Sequence, residues 1–353
     1  MRPVRVLIVD DSLTMRRLIR LALSADPRIV VVGEARDAAH ARQRMAELDP
    51  DVLTLDVEMP GMSGLDFLRR LMATRPMPVI MVSTETHGGS AAAIEALALG
   101  AVDCVGKPAG TASATAFAAL PDLVVAASTA RISPLGRRTA GIRPAPPQGG
   151  FVWNGRFVLI GSSTGGVEAL ERILAEYPAN CPPTVIVQHM PAGFLASLAG
   201  RLNARVAPTV QLAASGAPLV PGHVHIAPGG DTHLTIDARL APVCRLVQSD
   251  RRGGHRPSAD VLFESALPLG GNAVAVLLTG MGRDGAQGML AMRRAGSVCL
   301  AQDQQSCVVF GMPRVAQELG AVDRMVALHD MAREILAASG RGVGALAGRG
   351  GRA

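Results

Sequence analysis

Two sets of residues in this sequence have the types and spacing to do chemistry. The first joins three carboxylates, Asp10, Asp11 and Asp56, to the hydroxyl of Ser83 and to Lys107, the single lysine of the chain. Each stands at or just past the end of a short apolar run: Val4 to Val9, Val52 to Leu55, Pro78 to Val82 and Val102 to Val105. Carboxylates gathered in one place repel unless something cationic joins them. Hard oxygen donors with open positions suit Mg2+, which keeps several of its waters. All other basic residues are arginine, so one compact ammonium stands where a point charge serves better than a planar guanidinium.

The second set is Ser163, His189 and Asp284. Val158-Leu159-Ile160-Gly161 breaks into Ser162-Ser163-Thr164-Gly165-Gly166, and a helical pattern follows, with Val167, Leu170, Ile173 and Leu174 on one face. Such a strand–turn–helix lifts a side chain above the sheet edge and leaves N–H groups free to face an anion. A nucleophilic serine beside an oxyanion hole and a phosphate-wrapping loop both use that geometry, and a plain tight turn is the third reading. The pattern is neither G-x-S-x-G nor a P-loop, and no lysine stands near it. Pro183 to Gln188 is another apolar run, ending on His189, and Ala273 to Leu278 is a third, leading through Thr279-Gly280-Met281-Gly282-Arg283 to Asp284. Parallel strands would bring the three to one edge as nucleophile, general base and orienting acid. His223 and His225 form a His-x-His pair that lacks a third ligand at metal spacing, His233 lies in a stretch of turns, and His255 in a polar Arg-Gly loop. His189 is the better base, because a strand end fixes where its ring points.

The elements that must position these residues follow from periodicity. At 353 residues, two domains are expected. Residues 1–130 alternate strands and helices: Val4 to Val9, Ile29 to Gly33, Asp51 to Asp56, Pro78 to Val82 and Val102 to Val105 as strands, with helices after each, the last either the Ala-rich Ala112 to Leu120, which lacks a clear face, or one with Pro121 in its first turn running through Ala127. Five β–α repeats with short connections imply a flavodoxin-like, doubly wound parallel sheet whose strand ends share one crevice. Residues 131–151, rich in Arg, Pro, Gly and Ala, cannot bury a core and read as a linker. Residues 152–340 repeat the α/β pattern with a mostly parallel sheet, its first strand at Arg156 to Ile160, and 341–353 read as a flexible tail.

Composition narrows the function classes. The net charge of +6 comes largely from arginines of the linker and tail, and one Trp and one Tyr leave little to stack on bases, so nucleic acid is not an expected partner. No apolar run approaches the ~18 residues of a membrane span, and Met1 leads within a few residues into a strand rather than a signal peptide. Five scattered cysteines without a C-x-x-C pair read as reduced thiols in a cytoplasmic protein.

The first set of residues, in this order, resembles the receiver domain of two-component response regulators: an acidic pair after strand one, an Asp after strand three, Ser/Thr after strand four and Lys-Pro after strand five. The resemblance implies that Asp56 accepts a phosphoryl group from a histidine kinase. It also implies that Asp10, Asp11 and Asp56, with the Glu58 backbone carbonyl, hold Mg2+, and that Ser83 and Lys107 sense the phosphoryl oxygens. Cys104 stands three residues before Lys107, where many receivers carry an aromatic switch residue. Residues 152 to 335 resemble the catalytic domain of chemotaxis protein-glutamate methylesterases, through Ser163-Thr164-Gly165-Gly166, Gln188-His189-Met190-Pro191, His255-Arg256-Pro257-Ser258, Thr279 to Gly285 and Cys307 to Pro313. That resemblance implies Ser163 as nucleophile, His189 as base, Asp284 as its partner and the Met281 N–H in the oxyanion hole. The expected activity is cofactor-free hydrolysis of glutamate methyl esters on chemoreceptors, and deamidation of glutamines, activated by phosphorylation at Asp56. The family commonly carries Ala where this chain has Ser162. A regulator whose second domain only binds a partner is the alternative, and no helix-turn-helix pattern supports a DNA-binding output.

Overall fold

Apolar runs without polar alternation form strands that must be covered on both faces, and the first unit is built from them. The computed structural model describes the backbone of residues 2–84, 87–108, 117–132 and 150–341, and the side chains of all these but 87–89. They fall into two compact units, Met1–Gly141 and Ile142–Ala353. Most of the expected linker (133–149) and the expected tail beyond 341 lie outside the described residues, as does the Ala-rich stretch 112–116.

In the first unit β1 (Val4–Val9), β2 (Ile29–Ala35), β3 (Val52–Asp56), β4 (Val79–Ser83) and β5 (Asp103–Gly106) pair in parallel, in the order β2-β1-β3-β4-β5. This is the flavodoxin-like doubly wound sheet that the periodicity predicts. β3 and β4 are buried along their whole length. The second strand outruns the expected end at Gly33, because Glu34 and Ala35 still pair with Ile8 and Val9. Helices follow each strand, and several start on a side-chain cap: Ser12 Oγ accepts the Met15 N–H at 3.4 Å before Leu13–Ser24, and Ser63 Oγ accepts the Asp66 N–H at 3.1 Å before Gly64–Thr74. The last helix, Leu120–Ser128, carries Pro121 in its first turn. The strand order reverses between β1 and β3, so a crevice opens at their carboxyl ends.

In the second unit β6 (Phe157–Ser162), β7 (Thr184–Gln188), β8 (Thr209–Leu212), β9 (His223–Ile226), β10 (Thr232–Asp237), β11 (Val243–Gln248), β12 (Ala273–Leu277), β13 (Val298–Gln302) and β14 (Arg324–Val326) follow in chain order. Seven of them form one sheet, β14-β13-β12-β6-β7-β9-β8, with every pairing parallel. The other two, β10 and β11, make an antiparallel hairpin. One face of the sheet packs through Leu159, Val185 and Leu277 onto Phe263 and Met289 of flanking helices. β6 runs to Ser162, beyond the expected end at Ile160, because Gly161 and Ser162 pair with Val187 and Gln188. Here the strand order turns between β6 and β12, and their carboxyl ends form the second crevice. All five cysteines are buried and outside any disulfide, and burial pushes the thiols of Cys181, Cys244 and Cys299 up to about 12. Among the described residues no helix is long and apolar enough to cross a membrane.

Candidate active site

At the first crevice, one carboxylate oxygen from each of Asp10, Asp11 and Asp56 lies within 4.8 Å of the others. Asp10 and Asp56 are buried and Asp11 is exposed. The Lys107 ammonium reaches across from the end of β5, 2.8 Å from Asp56 Oδ1 and 3.2 Å from Asp10 Oδ2. The Ser12 amide donates to Asp10 Oδ1 at 2.8 Å, and the Glu58 amide to Asp56 Oδ1 at 3.2 Å. Asp56 Oδ2 is buried and has no hydrogen-bond partner among the described residues. Burial, helped by the neighbouring Asp10 charge, pushes the Asp56 carboxyl up to about 6 against the pull of Lys107. Burial also raises Asp10. Burial works against the Lys107 charge, yet contact with Asp56 and Asp10 holds its ammonium above the ordinary lysine range. Ser83 ends β4 inside the same crevice wall, where its carbonyl accepts the Lys107 N–H at 2.7 Å and its hydroxyl donates to Thr84 O at 3.4 Å. An oxygen-lined pocket with one buried, unpartnered carboxylate oxygen fits a hard divalent cation.

At the second crevice, His189 and Asp284 meet. His189 Nε2 lies 2.7 Å from Asp284 Oδ2, and both side chains are nearly buried. Asp284 also accepts the Ser258 hydroxyl at 2.6 Å and the amides of Ala259 and Asp260 at 2.6 and 3.2 Å. Burial alone would raise this carboxyl, but the bonds from His189, Ser258 and Ala259 outweigh it and hold Asp284 well below the usual carboxylate range. A carboxylate can only accept, so Nε2 carries a proton, and in the neutral imidazole the lone pair then lies on Nδ1. Nδ1 is buried and has no hydrogen-bond partner among the described residues.

Ser163 follows β6 directly and His189 follows β7, and the two strands are neighbours: the His189 amide donates to Ser162 O at 3.0 Å. Ser163 is half-buried, and its hydroxyl makes no hydrogen bond to a described residue, His189 included. Ser162 is different. It is fully buried, and its hydroxyl donates to Gln188 Oε1 at 2.7 Å. Gln188 Nε2 in turn donates to the carbonyls of Ser163 and His189 at 3.0 and 3.1 Å, which fixes the two strand ends relative to each other. Gly165, at φ 80°, closes the turn, and a Cβ there would lie 2.6 Å from Val308 Cβ. The loop after β12 is braced by the Thr279 amide on Gln302 Oε1 at 2.9 Å and the Gly280 amide on Val309 O at 3.1 Å. It leaves the Met281 amide with no hydrogen bond to a described residue.

Of the residues singled out from sequence, Asp10, Asp11, Asp56 and Lys107 meet at the first crevice and His189 meets Asp284 at the second, with Ser163 just past the neighbouring strand. The loop that carries His255 does more than its composition announces: the His255 ring stacks on His189, centroids 3.9 Å apart and planes 9° apart. Ser258 and Gln188 have no role legible in sequence either, because only the fold reveals that they hold Asp284 and the strand ends. The signal available is the His255-Arg256-Pro257-Ser258 motif, whose partner lies 26 residues on from Ser258 in sequence. The rings of His223 and His225 lie 6.4 Å apart, and among the described residues they gather no third donor.

A model of the CheB methylesterase family matches residues 158–335, and one of the response regulator receiver domain matches residues 6–117. The chain is 53% identical over 335 residues to a Rhizobium etli protein named protein-glutamate methylesterase/protein-glutamine glutaminase, covering 95% of this chain and 96% of the relative. It is 54% identical over 341 residues to a Caulobacter vibrioides protein of the same description, covering 95% and 98%. Among solved structures it is similar to the Thermotoga maritima CheB methylesterase catalytic domain, with 39% identity and a TM-score of 0.51 over 52% of this chain and 98% of that one. With the family's match spanning the second crevice and identity running through both units, this chain belongs to the CheB methylesterase family and carries a response regulator receiver domain as its first unit.

Proposed function

We propose that the protein is a receiver-regulated esterase that hydrolyses glutamate methyl esters on chemoreceptors and also deamidates their glutamines. The observation that carries this reading is the His189–Asp284 pair, 2.7 Å apart, at the reversal of strand order beside Ser163. Ser163 Oγ attacks the ester carbonyl and His189 Nδ1 takes its proton, while Asp284 holds Nε2–H and stabilises the imidazolium that forms. The tetrahedral oxyanion accepts the Met281 N–H, a donor of a type worth roughly 10²–10³ in rate. Collapse expels methoxide, which leaves as methanol with the proton from His189, and an acyl-Ser163 remains. Water, deprotonated by His189, then releases the glutamate. A glutamine side chain follows the same course with ammonia as leaving group. None of these steps uses a cofactor.

In the receiver, Asp56 is the phosphoacceptor for a histidine kinase. Asp10, Asp11, Asp56 and the Glu58 carbonyl would hold Mg2+, whose charge would offset that of the phosphoryl oxygens. Lys107 and Ser83 then contact the phosphoryl oxygens, and phosphorylation raises esterase turnover by shifting the population of active molecules. Five buried cysteines outside any disulfide support a reducing, cytoplasmic setting.

The test is methanol release from methylated chemoreceptor. Ser163→Ala removes turnover to near background, a loss on the order of 10⁶ if the triad acts as a unit, while Ser162→Ala keeps most of it. The reverse pattern would move the nucleophile to Ser162, and wild-type methanol release no higher than that of both variants would end the serine-esterase reading in favour of a partner-binding output domain.

A further inference from the structure

The segment from His255 to Asp260 holds both halves of the His189–Asp284 pair. At one end the Ser258 hydroxyl and the amides of Ala259 and Asp260 bind the Asp284 carboxylate at 2.6, 2.6 and 3.2 Å. At the other end the His255 ring lies flat on His189, 3.9 Å between centroids and 9° between planes. An imidazole held only through Nε2 can still swing about that hydrogen bond, and the lone pair on Nδ1 swings with it. A second ring against its face removes that freedom. The segment is itself anchored: Ser258 caps helix Ala259–Ser265 by accepting the Val261 N–H at 3.3 Å, and Asp260 Oδ1 accepts the Gly288 N–H at 2.6 Å.

We infer that His255 is a positioning residue for the base: its ring fixes the plane of the His189 imidazole, and so the line along which Nδ1 meets the Ser163 proton. This rests on the reading of Ser163, His189 and Asp284 as an esterase triad. Charge is consistent with the role. Burial, then the neighbouring His189, push the His255 imidazole down to about 4, with Asp284 pulling the other way and Arg251 adding to the push. At neutral pH it stacks as a neutral ring and adds no positive charge beside a base that becomes cationic. A group acting only through geometry alters the bond-making step and leaves receptor binding alone.

The experiment compares full-length His255→Phe, His255→Ala and His255→Gln, each checked by thermal melting. Three quantities are read: kcat and KM for methanol release from methylated receptor, and the rate at which a fluorophosphonate labels Ser163. Ala and Gln are expected to lower kcat and the labelling rate by about 10²-fold, the scale of a misplacement of about an ångström, with KM essentially unchanged. Phe, which keeps a flat ring and cannot carry a proton, is expected to recover most of both rates. Wild-type rates in Ala and Gln would overturn the inference. So would a Phe variant as slow as the others, because then the ring nitrogens and not the stack would matter. If Ala does not fold, the Phe and Gln pair decides the same question. Ser163→Ala is measured alongside. Unaffected His255 variants with an inactive Ser163→Ala overturn the positioning role alone, whereas turnover persisting in Ser163→Ala overturns the Ser163 triad on which that role rests.

Discussion

At the scale of single residues, the contrast between two adjacent serines shows how context assigns chemistry. Ser162 and Ser163 are the same residue type one position apart, but the strand pleat turns Ser162 inward onto Gln188 and leaves Ser163 on the turn. Asp284 and Asp260 make a second contrast. Asp284 is held low by four donors, while burial and the nearby Asp284 charge push Asp260 up to about 6. Asp284→Asn keeps the shape but turns one accepting oxygen into a donor amide facing Nε2–H and the Ser258–Asp260 donors. Its kcat is expected to fall about 10²–10⁴-fold. Methanol release at saturating receptor measures it, and a kcat within a few-fold of wild type would deny Asp284 its part.

At the scale of elements, the ends of β1, β3 and β5 in the first unit trade stability for reactivity. The folded Asp56 carboxyl stands near 6, above its ordinary value near 3.8. A raised carboxyl is protonated in the fold before it is protonated in the unfolded chain, so its contribution favours folding at low pH. That contribution declines as pH rises from about 4 to about 6, and above that an ionised Asp56 costs on the order of 3 kcal/mol. Asp56→Asn is therefore expected to raise the melting temperature of the receiver transition by several degrees at pH 8 and by little at pH 4. A variant that melts lower than wild type at pH 8 would refute this account. The same crevice gives the cation test. Mg2+ is expected to raise the melting temperature of the wild type at pH 8, and Asp11→Asn, which removes an exposed carboxylate, to weaken that response. Equal responses would take Asp11 out of the ligand set.

At the scale of the whole molecule, the two units present the same device, a parallel sheet whose strand order reverses, for two different chemistries. The regulatory prediction belongs here: a small phosphodonor with Mg2+ raises methanol release by the full chain, and Asp56→Asn abolishes that increase. An undiminished increase in Asp56→Asn would disconnect the receiver from the esterase. Much of the architecture is legible in the sequence. Apolar runs such as Val4–Val9 and Ala273–Leu277, each ending on a polar residue, define parallel strands and their carboxyl ends, because a strand covered on both faces has no choice but continuous apolar sequence. Hence the flavodoxin-like fold of the first unit and the placing of Asp10, Asp56, Lys107, Ser163 and His189 on strand ends follow from local pattern alone. Strand neighbours do not follow, since β6 pairs not only with β7 but also with β12, more than a hundred residues further along the chain. Those two pairings bring Asp284 onto His189 and tie Ser162 to Gln188, and the segment anchored at Ser258 lays His255 over the base. Those contacts depend on direction and on distances of a few ångströms across elements remote in the chain, and no local periodicity encodes them.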